Sequence, residues 1–420
     1  MRLTLAIHPV SAITKGSATR LDGTILVVDT DELRQLIMED ARLREVDIQI
    51  ASSGEPCRIG VVSDIVEPRA KEPSSGSDFP GVIGPMAMAG SGTTHVLRGA
   101  AVTVVDDGTP LQNGKVLEMT GPASNQSPYS SLQHLVIVPH ASEGQERHSV
   151  QNAQRMASLK AATYLARTAL SETPGDTETL DSGGPGDSER RGLPRFAYIG
   201  QIHSRQRVAE VDERIFYGDN TAGMVPTLIH PNEWLDGAII AGYQGMGTET
   251  YLYQNHPIIN ELYRWHNEDK INLVGSIVTM AASDNLQRER NSMMAAQQAK
   301  WNLTADGVVL TKYGGGAPHA DMSLTALHCE KLGMRTVVQV SDMSRDRRAE
   351  SALLFNYEEV DAIVYVGGTD TGWDVPAVSK VIAGNGELSE TLGAPMHLQS
   401  GNLCGVTSQQ GASKLRSFIH

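Results

Sequence analysis

Four short β-branched runs in the second half of the chain each end in a turn that carries polar side chains. The segment Tyr313-Gly314-Gly315-Gly316-Ala317-Pro318-His319-Ala320-Asp321 is the most informative of these turns. Three successive glycines let the backbone bend sharply and leave N–H groups open to an anion at the start of the next helix. Gly314, Gly315 and Gly316 are therefore a candidate loop for an anionic substrate rather than for a cofactor. His319 and Asp321 follow at the helix start, where Asp321 serves either the chemistry or simply the helix cap. Gln201, His203 and Ser204 follow a second run, Ser341 and Asp342 a third, and Gly367-Gly368-Thr369-Asp370 a fourth. His230 precedes Pro231, which holds its backbone extended and projects the ring from a fixed position. His203, His230, His319 and Asp321 form the candidate catalytic set, the histidines transferring protons or polarising a substrate. The same four residues are the candidate ligands should a divalent metal be bound from distant loops. The chain has no HExxH, GxGxxG or GxxxxGK[ST] pattern, so the zinc-protease, dinucleotide and nucleoside-triphosphate fingerprints are missing.

These loops need a scaffold, and the pattern of the chain predicts two. Short alternating runs at 2–7, 24–28, 46–50, 57–62, 94–105 and 135–138, separated by Gly, Pro and Asp turns, predict a β-rich N-terminal domain over 1–170. Helices are expected at 30–43 and 149–170. Residues 171–193 offer almost nothing to bury and are expected to be a flexible linker. From 194 to 420 the pattern changes to strand, loop, helix. Strands at 195–202, 272–280, 307–311, 336–340 and 362–366 alternate with helices near 257–266, 284–301, 322–332 and 345–355. That alternation predicts an α/β domain with a Rossmann-like parallel sheet, whose ligands sit outside the carboxyl ends of the strands.

Charge and cysteine usage narrow the function classes. Thirty-five Lys and Arg against 49 Asp and Glu give a net charge of −14, which disfavours binding nucleic acid or an acidic membrane. Cys57, Cys329 and Cys404 are far apart and show no CxxC spacing, so neither a disulfide framework nor a thiolate zinc site is expected. No apolar stretch is long enough to span a bilayer, and a cytoplasmic, oligomeric protein is the expectation.

Several segments in order along the chain carry a resemblance. They are Asp64-Ile65-Val66-Glu67-Pro68-Arg69, Phe79-Pro80-Gly81, Gly90-Ser91-Gly92-Thr93-Thr94-His95, Met119-Thr120-Gly121-Pro122, Arg155-Met156-Ala157-Ser158-Leu159-Lys160-Ala161-Ala162, Pro226-Thr227 and Asp236-Gly237-Ala238-Ile239. Together they resemble the α/β-subunit precursor of component B of the glycine, sarcosine and betaine reductases, a relative of the D-proline reductase proprotein. The resemblance implies reductive cleavage of a C–N bond α to a carboxylate. It also implies a precursor cut before a cysteine that becomes a pyruvoyl group, and a partner subunit whose selenocysteine or cysteine attacks the α-carbon. The family's cleavage cysteine falls near Gln244, and no cysteine stands between Cys57 and Cys329 here. A glutamine amide has no thiol for the acyl shift that starts self-cleavage. The expectation is an uncleaved, substrate-binding subunit without a pyruvoyl group, acting on a small amino- or carboxylate-bearing molecule. A metal-dependent lyase or hydrolase on the same scaffold, and a non-catalytic scaffold for the selenol or thiol partner, are the alternatives.

Overall fold

The computed structural model describes residues 1–109, 111, 114–185, 187, 190, 192–202, 224–242, 247–282, 284–342, 360–368, 371–408, 410, 411, 414, 418 and 419. Helices and strands are mixed, and the expected α/β class holds. In the second half a seven-stranded sheet runs Thr227–Ile229, Asn272–Met280, Arg195–Ile202, Gly307–Thr311, Arg335–Asp342, Ala362–Gly368, Phe418–Ile419. Its five inner strands are parallel to one another, and both edge strands are antiparallel. Apolar side chains cover both faces, which is why these strands read as continuous β-branched runs. Ala295, Ala296 and Ala299 pack with Met322, Ala326 and Cys329 against Val308, Leu310, Val338 and Val340. Small side chains on the helix Asn285–Gln297 and its extension let it lie close to the helix Ala317–Lys331 and the sheet.

The first half holds a sheet ordered Lys115–Glu118, Cys57–Val66, Ala100–Val105, Gln133–Ala141, Leu43–Ala51. The helix Arg147–Ala166 packs across it through Ala153, Ala157, Leu159, Ala161 and Leu165. Helix Thr30–Met38 ends sooner than expected because the chain has already turned into a strand by Leu43.

Two strand pairings lie in and across the expected boundary. Within 171–193, residues Asp176–Asp181 form a strand paired antiparallel with Arg2–Pro9. Only Leu180 of that strand is buried, so composition concealed it, and its order comes from the partner strand. Near the other end, Lys380–Ile382 returns to pair with Cys57–Val66 in the first sheet. Leu3 and Leu5 also share a core with Tyr198 of the second sheet and with Trp234, Tyr253 and Tyr263 on the helices of that half. The halves are thus joined along a common face. The expected helix at 345–355 lies outside the described residues.

Candidate functional site

Thr311, Lys312 and Tyr313 lead out of the carboxyl end of the central strand Gly307–Thr311. The Thr311 hydroxyl lies 2.6 Å from that of Tyr198, which in turn lies 2.8 Å from Nε2 of His256. Lys312 is fully buried, and its Nζ donates to the Gly314 carbonyl at 2.7 Å. Burial pushes its amine down to about 8. Gly314 and Gly316 have φ of 84° and 67°, left-handed backbone that favours glycine, whereas Gly315 between them does not share it.

Gly316 caps the helix Ala317–Lys331, and Pro318 in its first turn presets the backbone, so the helix starts earlier than the expected 322. His319 stands in that first turn, buried, and burial followed by the Lys312 charge pushes it down to about 3. At neutral pH it is an uncharged imidazole. Asp321 is not the cap. It lies inside the helix, accepting from the Ala282 N–H at 2.7 Å and from Arg288, with burial raising its carboxyl against both bonds. Its partners make it an anchor between two helices.

His230 is placed elsewhere. It caps the short helix Pro231–Leu235, its Nδ1 accepting from the Asn232 N–H at 3.2 Å while Glu233 accepts from the His230 N–H at 2.6 Å. Ile229 lies opposite Ser276, midway along Asn272–Met280, and the antiparallel run carries His230 on towards the amino ends of the parallel strands. His319 stands at the opposite, carboxyl ends. Of the candidate metal ligands that are described, His230 is therefore not brought together with His319 and Asp321. Among the described residues no group of three or more His, Cys, Asp or Glu is arranged to hold a metal. His203, Ser204, Gln244, Thr369 and Asp370 lie outside the described residues.

The structure adds a cluster that the sequence reading missed. Asp64 sits in the wholly buried strand Cys57–Val66, and Thr250 donates to it through both its N–H, at 3.1 Å, and its hydroxyl. The Thr250 hydroxyl oxygen also accepts from the Ala241 N–H at 3.0 Å. Glu249, beside Thr250, is fully buried. Burial pushes the Asp64 carboxyl up to about 7, with the Glu249 charge adding to the rise and the Thr250 hydrogen bonds opposing it. A small cavity beside these residues is lined by Lys115, Tyr129, Thr248, Tyr313, Leu403 and Ser408, drawn from both halves of the chain.

This cluster grips both flanks of the segment where the family resemblance places its cleavage cysteine. Gly242 accepts from Arg155 at 3.4 Å on one side. On the other, Gly247 has φ of 79°, and a Cβ there would stand 3.0 Å from the Cβ of Lys115. Cys404 is buried close by, and burial pushes its thiol up to about 12, so it is an inert packing residue. The available signal was Asp64 itself, a carboxylate in a largely apolar run, because a desolvated acid must have a perturbed proton affinity.

His256 gives a test of this buried polar core. Burial pushes its ring down to about 3, so the unfolded chain takes up a proton as pH falls through the ordinary histidine range and the folded protein does not. The contribution of His256 is thus present above about pH 6.5 and is lost towards the folded value, at about 1.4 kcal/mol per pH unit. Urea denaturation between about pH 7 and pH 5 should show His256→Gln losing stability less steeply than the parent. Equal slopes would show that His256 is solvated.

Comparison with known proteins bears on the cluster. The profile of the glycine/sarcosine/betaine reductase component B subunits matches residues 1–402. The chain is 29% identical over 431 residues to the glycine reductase complex component B subunits alpha and beta of Acetoanaerobium sticklandii, covering 99% of each chain. It is 31% identical over 386 residues to the sarcosine reductase complex component B subunit alpha of Peptoclostridium acidaminophilum, covering 91% of this chain and 89% of that one. The betaine reductase complex component B subunit alpha of the same organism is 29% identical over 397 residues, with 92% and 88% covered. No solved structure matches.

Proposed function

The chain belongs to the family of glycine, sarcosine and betaine reductase component B subunits, and from that membership we propose that it is the substrate-binding subunit of a reductase complex. Its substrate is a small amino- or carboxylate-bearing molecule, and it works as an uncleaved chain without a pyruvoyl group. The observation that carries this reading is the cluster of buried Asp64, Glu249, Tyr129 and Tyr313 with half-buried Lys115 around the flanks of 243–246.

Reductive C–N cleavage begins when a thiolate or selenolate on the partner subunit attacks the α-carbon. The bonding electron pair leaves with nitrogen, which must take up a proton. A carboxyl near 7 exists in both protonation states close to neutral pH, so Asp64 is suited to donate that proton. Lys115 and the hydroxyls of Tyr129, Thr248, Tyr313 and Ser408 line the cavity and are the polar groups that would meet a substrate's carboxylate. Gln244 in place of the cleavage cysteine leaves the backbone intact.

The test is a reconstituted complex of this chain with its thiol- or selenol-bearing partner, supplied with small amino acids and their N-methyl derivatives. The expected result is amine release that requires a dithiol reductant and both subunits. Release from this chain alone without reductant, abolished by chelators, would instead establish the metal-dependent lyase or hydrolase.

A further inference from the structure

We propose that Lys312 condenses with a small carbonyl compound, its amine forming an imine at the carboxyl end of the central strand Gly307–Thr311. The proposal rests on the reading of that strand end as part of the site, and it adds a carbonyl to the chemistry of the molecules the site accepts.

Lys312 directly follows Thr311, whose hydroxyl is fixed by Tyr198, and directly precedes Tyr313, which lines the cavity between the two halves. Ligands of an open parallel sheet gather at this end of its strands. A lysine without exposure is rare in proteins, and this one donates its Nζ to the Gly314 carbonyl, which orients the amine. Burial is what lowers its proton affinity, to about 8, against about 10.4 for lysine in water. A far larger fraction is therefore unprotonated at neutral pH, with the lone pair needed to attack a carbonyl carbon.

The neighbouring groups suit the remaining proton movements. The lone pair forms the new C–N bond, and the carbonyl oxygen becomes a hydroxyl that must leave as water while nitrogen gives up its protons. His319, close enough to feel the Lys312 charge, is a neutral imidazole that adds no positive charge beside the amine, and the protons that nitrogen gives up pass through water to the leaving hydroxyl. Burial holds the Tyr313 phenol protonated, so it remains a hydrogen-bond donor. No oxidant or reductant enters the step. The Gly314–Gly316 turn gives the loop above Lys312 backbone freedom without side chains in the way.

The full-length chain is incubated separately with pyruvate and with propionaldehyde, reduced with cyanoborohydride, digested and mapped by mass spectrometry. One stoichiometric adduct on Lys312 with either compound is the expected result, its formation rising with pH to a midpoint near about 8. Lys312→Arg, which keeps the charge, should lower the adduct at least tenfold at an unchanged melting temperature. No adduct with either compound would overturn the proposal, as would adducts on Lys115 or on surface lysines with Lys312 unmodified. The parent's peptide map decides even if the variants fold poorly. Trapping needs neither partner subunit nor dithiol, so its failure would leave the reductase reading standing, and failure of the reductase assay would leave trapping intact.

Discussion

Arg58→Met should destabilise the folded protein by about 3–5 kcal/mol in urea denaturation. Arg58 has no exposure, and its guanidinium binds the buried Glu118 carboxylate together with the carbonyls of Pro376, Leu392 and Ala394. Removing it leaves Glu118, whose carboxyl burial already pushes up, as an uncompensated charge or as an acid that must bind a proton. Three carbonyls lose a charged donor as well, and each unsatisfied buried group adds about 1–3 kcal/mol before relaxation. The double variant Arg58→Met with Glu118→Leu should recover much of the loss, because no buried charge is then stranded. Limited proteolysis of the single variant should cut first within 371–408, the stretch that Arg58 and the Lys380–Ile382 strand hold against the first sheet. A loss below about 1 kcal/mol would mean that the returning stretch is held by other contacts.

Asp64→Asn should lower turnover in the reconstituted complex by roughly 100-fold or more while leaving substrate affinity nearly unchanged. The amide keeps the size of the carboxylate and an oxygen for the Thr250 hydroxyl, but it cannot give up a proton at neutral pH. An acid must be protonated to act, so the parent's rate should decline as pH rises through about 7, and the Asp64→Asn variant should lack that limb. Stability gives an independent reading. A carboxyl whose folded value is raised contributes stability that is fully present at low pH and is lost as pH climbs from the ordinary Asp range to about 7. The Asp64→Asn protein should not show that decline. If the limb in the rate persists while the decline in stability disappears, Asp64 is a positioning group for Thr250 and the proton comes from elsewhere.

The parallel sheet was readable because buried strands such as Asn272–Met280 must be apolar on both faces. The glycine turn was readable for a similarly local reason, since Gly314 and Gly316 adopt backbone that few other residues tolerate. The capping role of His230 was not legible, because Pro231 signals only a rigid backbone while the cap depends on Asn232, Glu233 and the edge strand before them. Asp321 was misplaced by a few residues of helix, which separates a cap from an anchor to Arg288. The Asp64 cluster was hidden for a different reason. It joins residues nearly two hundred positions apart, and no local pattern announces that Thr250 will meet Asp64. Asp176–Asp181 escaped notice likewise, since its hydrogen-bond partners lie at the beginning of the chain.

The central claim is that this member of the family works as one intact chain with no ketone of its own. Intact mass spectrometry, before and after borohydride treatment without added carbonyl compound, tests it directly. The prediction is a single species near the full-chain mass of 45.2 kDa that gains no hydrogens on reduction. Two fragments meeting near Gln244, one of them gaining two hydrogens as a ketone is reduced, would contradict it.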